Sequence, residues 1–151
     1  AILLMHDVPR SGFCLEITES AIMDDPQRAQ NTLDELARSG FKLSIDDFGT
    51  GYSSLTYLRR LPAQTLKVDQ SFVRDMPADP GDLAIVQGVI GLAHTFGRSV
   101  IAEGVETRAH GERLLALGCD LAQGYGIARP MPAADLPPWV QRWKMQREWT
   151  A

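Results

Sequence analysis

Five short, largely apolar runs recur along the chain at intervals of about thirty residues, each followed by the signals of a helix or a turn. They are Phe13 to Thr18, Lys42 to Asp46, Thr65 to Asp69, Ser99 to Glu103 and Leu121 to Ile127. Runs this far apart are too widely separated for tight hairpins, whereas a crossover helix between neighbours suits parallel pairing. Asp25 and Pro26 read as cap and first residue of a helix carrying Leu33, Leu36 and Ala37 and stopping at Gly40. Asp79 and Pro80 open another, with Leu83, Val86, Ile90 and Ala93 at spacings of three or four and Gly97 as its stop. Thr107 caps a third, which runs to Gly118, and Ser53 to Leu61 is a short helical turn closed by Pro62. Ala1 to Asp7 reads as the end of a helix, and Pro138 to Trp149 as a last one with Trp139 and Trp143 on one face. The alternation predicts an α/β fold built on a parallel sheet.

The strand ends carry the chemistry. Glu16, Asp46, Lys67, Asp69, Glu103 and Gln123 all fall at carboxyl ends of predicted strands, the edge at which α/β folds bind ligands. Most pointed is LSIDDFGTGYSSL, Leu43 to Leu55, where two adjacent carboxylates precede Gly49, Thr50 and Gly51. Neighbouring side chains on a strand face opposite ways, so Asp46 and Asp47 can act together only if the backbone turns, and the glycines after them allow it. Paired carboxylates suit a divalent cation; Asp-Asp-Phe-Gly could equally do no more than open a turn. Carboxylates, a lysine and a glutamine converging on one rim supply oxygen ligands for a hard cation and one positive charge to orient water or phosphate.

Composition narrows the classes. A net charge of -4 gives no electrostatic reason to expect DNA or an anionic membrane as partner. Cys14 and Cys119 are too few and too isolated for a disulfide framework or a thiolate zinc site and read as small buried hydrophobes. His6, His94 and His110 lack ligand spacing and read as surface or satisfied residues. No apolar run approaches the roughly 18 residues of a membrane helix, no signal-peptide pattern opens the chain, and a cytoplasmic setting is expected.

LEITES, IDDFGTGYSSL, LKVDQSFV, IAEGVET and QGYGIARPMP, in this order and spacing, strongly resemble the EAL family of cyclic di-GMP phosphodiesterases from Phe13 to Pro132. The resemblance implies a modified TIM-like barrel that opens cyclic di-GMP to linear pGpG with two Mg²⁺ or Mn²⁺ ions. It implies that Glu16 ligates the first metal, Asp46 bridges both and Asp47 ligates the second. Lys67 would hold the attacking water, with Glu103 and Gln123 supporting its network. Glu19 would brace the substrate loop of Phe48, Gly49, Thr50, Gly51, Tyr52 and Ser53, with Glu106 in a supporting role. A homodimer formed around the glycine loop, and an upstream sensory or diguanylate cyclase domain, are further expectations from the likeness.

The Glu-Ala-Leu tripeptide of the family, and the strand carrying a metal-binding Asn, have no counterpart in this sequence. Eight βα units occupy about 250 residues, so residues 1–151 correspond to the C-terminal part of the domain, a partial barrel of five units, and the chain is expected to be a fragment of something longer. Such a fragment would pair with another copy, be completed by further chain, or rearrange, because open sheet edges and a bare core face are avoided. Catalysis is then expected only when the missing strands are supplied. The alternative is a non-catalytic module that binds cyclic di-GMP or a protein.

Overall fold

The computed structural model describes residues 2–51, 55–119 and 121–146. Five strands, β1 (Cys14–Thr18), β2 (Lys42–Phe48), β3 (Thr65–Val68), β4 (Ser99–Ala102) and β5 (Leu121–Ala122), form one sheet in the order β1-β2-β3-β4-β5. Every neighbouring pair is parallel, with Thr18 beside Asp46, Val68 beside Ala102 and Ala102 beside Ala122. The alternation of runs and caps thus gives the α/β architecture the sequence predicts. Helices α1 (Ile2–Met5), α2 (Glu19–Asp24), α3 (Pro26–Arg38), α4 (Leu55–Arg60), α5 (Gln70–Asp75), α6 (Pro80–Thr95), α7 (Arg108–Ala116) and α8 (Leu136–Gln146) precede, connect and follow the strands. None of them is long and apolar enough to cross a membrane.

The central strands are buried on both faces, as parallel strands are. Leu43, Ile45, Leu66 and Val68 are almost wholly inaccessible, and Leu33, Val86, Ile90, Ala93 and Leu114 bring the helices onto them. Caps do their expected work at three helices. The Asp25 carboxylate accepts from Arg28 N–H, that of Asp79 from Gly81 and Asp82 N–H, and the Thr107 hydroxyl from His110 N–H. His110 reciprocates: its Nδ1 accepts from Thr107 N–H at 3.2 Å while Nε2 lies 3.0 Å from Arg74 O. A carbonyl only accepts, so Nε2 carries the proton, and this buried histidine is satisfied on both sides. Cys119 is buried, but Cys14 is exposed at the start of edge strand β1, contrary to its reading as a core residue. Trp139 and Trp143 stack at 5.4 Å, and Trp143 lines a small apolar cavity with Leu114 and Ile127. Trp149 lies outside the described residues.

Helices α2 and α5 and strand β5 differ from expectation. The strand ends at Thr18 and Asp69 become caps: Thr18 accepts from Ala21 N–H and Asp69 from Ser71 N–H, opening α2 and α5. Six-residue helices are too short to display an amphipathic period. The run expected as a strand from Leu121 to Ile127 pairs only at Leu121 and Ala122. Gln123 N–H still donates to Ala102 O, but from there the backbone bonds to the loop after β4, with Val105 N–H donating to Gln123 O and Gly126 N–H to Val105 O. A Cβ on Gly124 would lie 2.3 Å from Val105 N, so only glycine permits this approach. The first predicted residue of the short helical turn, Ser53, falls outside the described residues, and α4 begins at Leu55.

Candidate active site and metal centre

The site is assembled at the carboxyl ends of the strands, beginning with an irregularity in β2. Ile45 pairs with Leu66 and Phe48 with Val68, so three steps on β2 match two on β3 and one residue is extra. Asp47 takes up the difference with φ at 53°, a left-handed conformation that aspartate tolerates better than most residues. The turn anticipated at the glycines therefore lies on Asp47 itself. It lets two consecutive carboxylates serve one place: oxygens of Asp46, Asp47 and Glu103 lie within 4.8 Å of one another.

Lys67, from the middle of the sheet, holds these groups together. Its side chain is only 5% exposed, and Nζ lies 2.9 Å from Glu16 Oε2, 2.9 Å from Asp46 Oδ1 and 2.7 Å from Glu103 Oε1. Burial alone would lower the pKa of this ammonium; the ion pairs with Glu103, Asp46 and Glu16 outweigh it and hold the pKa above the ordinary lysine value. Burial raises the pKa of Glu103, and Lys67 opposes it only in part. Burial likewise raises that of Asp47, reinforced by repulsion from Asp46 and Asp69. Gln123 Nε2 donates to Glu103 Oε1, the same oxygen that Lys67 contacts, and so fixes that carboxylate from the β5 side.

A cavity of about 740 Å³ opens beside this cluster, lined by Gln70, Glu103, Glu106, Gln123, Tyr125 and Arg129 among others. The Arg129 guanidinium lies 4.6 Å from the centroid of the Tyr125 ring. The floor depends on Gly104, at φ +69°, where a Cβ would come 2.6 Å from that of Gln70. On the other side of the rim, Glu19 is 1% exposed and accepts from Gly49 N–H at 2.9 Å and Gly51 N–H at 3.2 Å. Thr50 closes the same turn by donating its hydroxyl to Asp47 O. Phe48 packs in the core, and Tyr52 and Ser53 lie outside the described residues.

Of the residues singled out in the sequence, Asp46, Asp47, Lys67, Glu103 and Gln123 converge, and Glu106 lines the adjoining cavity with Glu103 and Gln123. Glu16, expected beside the aspartates as a ligand, meets them only through Lys67 and has a half-exposed side chain. Asp69, Tyr125 and Arg129 lie at this rim without being among the site residues expected from the sequence. Asp69 had a signal, two residues beyond Lys67 on the same strand face, whereas Tyr125 and Arg129 occupy a loop with no periodicity to place them.

The cluster fits a hard divalent cation. Its donors are carboxylate oxygens, and Asp46 Oδ1 is buried without a hydrogen bond of good geometry, the Lys67 ammonium lying 2.9 Å away.

The EAL domain family matches residues 1–130. The bifunctional diguanylate cyclase/cyclic di-GMP phosphodiesterase MucR of Pseudomonas aeruginosa is 47% identical over 134 residues, which is 89% of this chain and 20% of that protein. The cyclic di-GMP phosphodiesterase NbdA of the same organism is 46% identical over 130 residues, 86% of this chain and 17% of NbdA. The chain thus spans about a fifth of the length of these curated relatives. Among solved structures, a complex of the PaMucR phosphodiesterase with c-di-GMP superposes with a TM-score of 0.86 at 47% identity, covering 89% of this chain and 54% of that one. A manganese/cy-diGMP complex of Klebsiella pneumoniae BlrP1 gives 0.78 at 36% identity, covering 85% and 33%.

Proposed function

The chain belongs to the EAL domain family, and on that premise we propose that it forms the C-terminal part of a phosphodiesterase domain that hydrolyses cyclic di-GMP to linear pGpG. The observation that carries the reading is the convergence of Asp46, Asp47 and Glu103 on one place, with Asp46 and Glu103 paired to one buried lysine, beside a cavity large enough for a nucleotide. Asp46 and Asp47, with Glu16 or Glu103, would hold Mg²⁺ or Mn²⁺. Such ions, when bound, lower the pKa of water and neutralise charge developing on phosphorus. Lys67 steadies the attacking oxygen electrostatically, since an ammonium whose pKa is raised holds its proton. Gln123 keeps Glu103 in place, and Glu19 keeps the turn after Asp47 in the conformation that aims its carboxylate inward. Arg129 supplies positive charge for an anionic dinucleotide.

Turnover requires, in this reading, the strands of the domain that carry the remaining ligands, and a homodimer and upstream regulatory domains belong to the same proposal. The test is incubation with cyclic di-GMP and Mn²⁺ followed by chromatography for pGpG, on this chain and on a longer protein that includes those strands. Product from the longer protein, and none from its Asp46→Ala variant, is expected. Equal turnover by that variant would overturn the assignment; tight nucleotide binding without product from either protein would favour a binding module instead.

A further inference from the structure

We propose that Lys67 is the resident cation of the metal-free site: its ammonium keeps Glu16, Asp46 and Glu103 gathered, and a divalent cation must displace it to bind. The inference rests on the reading above only in taking these carboxylates as the metal-binding groups.

Four carboxylates, Glu16, Asp46, Asp47 and Glu103, crowd one rim, and left alone they would repel one another and drive the loops apart. Lys67 meets three of them at 2.7 to 2.9 Å from a stem buried in the middle of the sheet. An ammonium is nevertheless an imperfect occupant. It offers three directed protons, and Asp46 Oδ1, although 2.9 Å away, receives none of them in hydrogen-bond geometry. A metal ion makes no such directional demand of that oxygen and carries twice the charge. Metal and ammonium therefore compete for Asp46 and Glu103, and the ammonium must withdraw from them as the metal enters. The site is preorganised without metal at the expense of metal affinity.

The experiment uses Mg²⁺ and the chain with no nucleotide present, so that a protein unable to hydrolyse cyclic di-GMP can still pass and an active one can fail. Lys67→Met preserves the stem and removes the charge. In metal-free buffer at pH 7 its Tm should fall by about 5 °C and recover when Mg²⁺ is added. Calorimetry should show Mg²⁺ binding about tenfold tighter than in the unaltered chain, because a competing charge is gone. Binding by the variant alone supports the proposal, as does a variant that folds only with Mg²⁺. Unchanged or weaker affinity, or no binding by either protein, overturns it. Should the variant stay unfolded with Mg²⁺, the ¹³Cε resonance of Lys67 in the unaltered chain decides: movement in step with Mg²⁺ addition supports displacement, and a static resonance refutes it.

Discussion

At the scale of single residues, the most consequential is Asp47, because it both forms the bulge and contributes a charge. Its left-handed φ is tolerable for Asp, Asn or Gly and costly for other residues, so Asp47→Asn keeps the backbone while Asp47→Ala strains it. Burial and then repulsion from Asp46 and Asp69 raise its pKa, so the fold favours the protonated carboxyl. The stability this gives is fully present below the unfolded-state pKa and is lost as pH rises through the raised, folded value. In metal-free buffer, Asp47→Asn should therefore have a higher Tm than the unaltered chain at pH 7, with the gain shrinking toward about pH 4; a thermal melt series checks it. Glu103 shifts the same way, so protons compete with metal at both positions. Mn²⁺ affinity measured by calorimetry should weaken on acidification, beginning above the pH at which ordinary carboxylates titrate. For catalysis, Asp46→Ala in an active protein should reduce Mn²⁺-dependent turnover by at least about 100-fold, read as pGpG released. The pair of aspartates was visible in the sequence, but the one-residue bulge that aligns them was not, because it depends on how β2 registers against β3.

At the scale of elements, the loops at the ends of the strands hold one another in place, and the helices are tied in at the opposite end. Arg98, between α6 and β4, is buried, and its Nη2 donates to Leu58 O at 2.7 Å and Leu61 O at 2.8 Å. These carbonyls end α4, where unpaired acceptors and the negative end of the helix dipole favour a cation. Burial lowers the pKa of this guanidinium, which nevertheless stays charged at neutral pH. Arg98→Ala should destabilise the protein by about 3 kcal/mol in urea denaturation, from the loss of two charge-assisted bonds to buried main-chain carbonyls. On the functional rim, the comparable tie is the backbone contact of Gly124 with Val105, which fixes Gln123 against Glu103. Caps formed by Asp25, Asp79 and Thr107 could be read from local chemistry; the shortening of β5 could not, since its cause is a loop about twenty residues earlier in the chain.

At the scale of the molecule, a five-stranded sheet with β1 and β5 at its edges has no further strand beside either edge among the described residues. Leu121 on β5 is 49% exposed and Cys14 on β1 is exposed, so neither edge is shielded by its own side chains. Sedimentation velocity on this chain should accordingly show concentration-dependent association. A sharp monomer at all concentrations would mean that the edges are covered in another way.

What the sequence by itself determined is the alternation of strand and helix, the position of most caps, and the identity of the acidic and basic residues at the strand ends. These are encoded by short-range rules: periodicity, side-chain to backbone hydrogen bonds, and the restricted φ of proline. Only the tertiary structure decided that Glu16, Asp46 and Glu103 meet on Lys67, that Glu16 reaches the aspartates through it, and that Tyr125 and Arg129 face the cavity that Glu103 lines. Each of those facts depends on strand register and on loop packing between segments far apart in sequence. Charge attraction among such groups, and the exclusion of a Cβ at Gly104 and Gly124, act only after the sheet has brought them together.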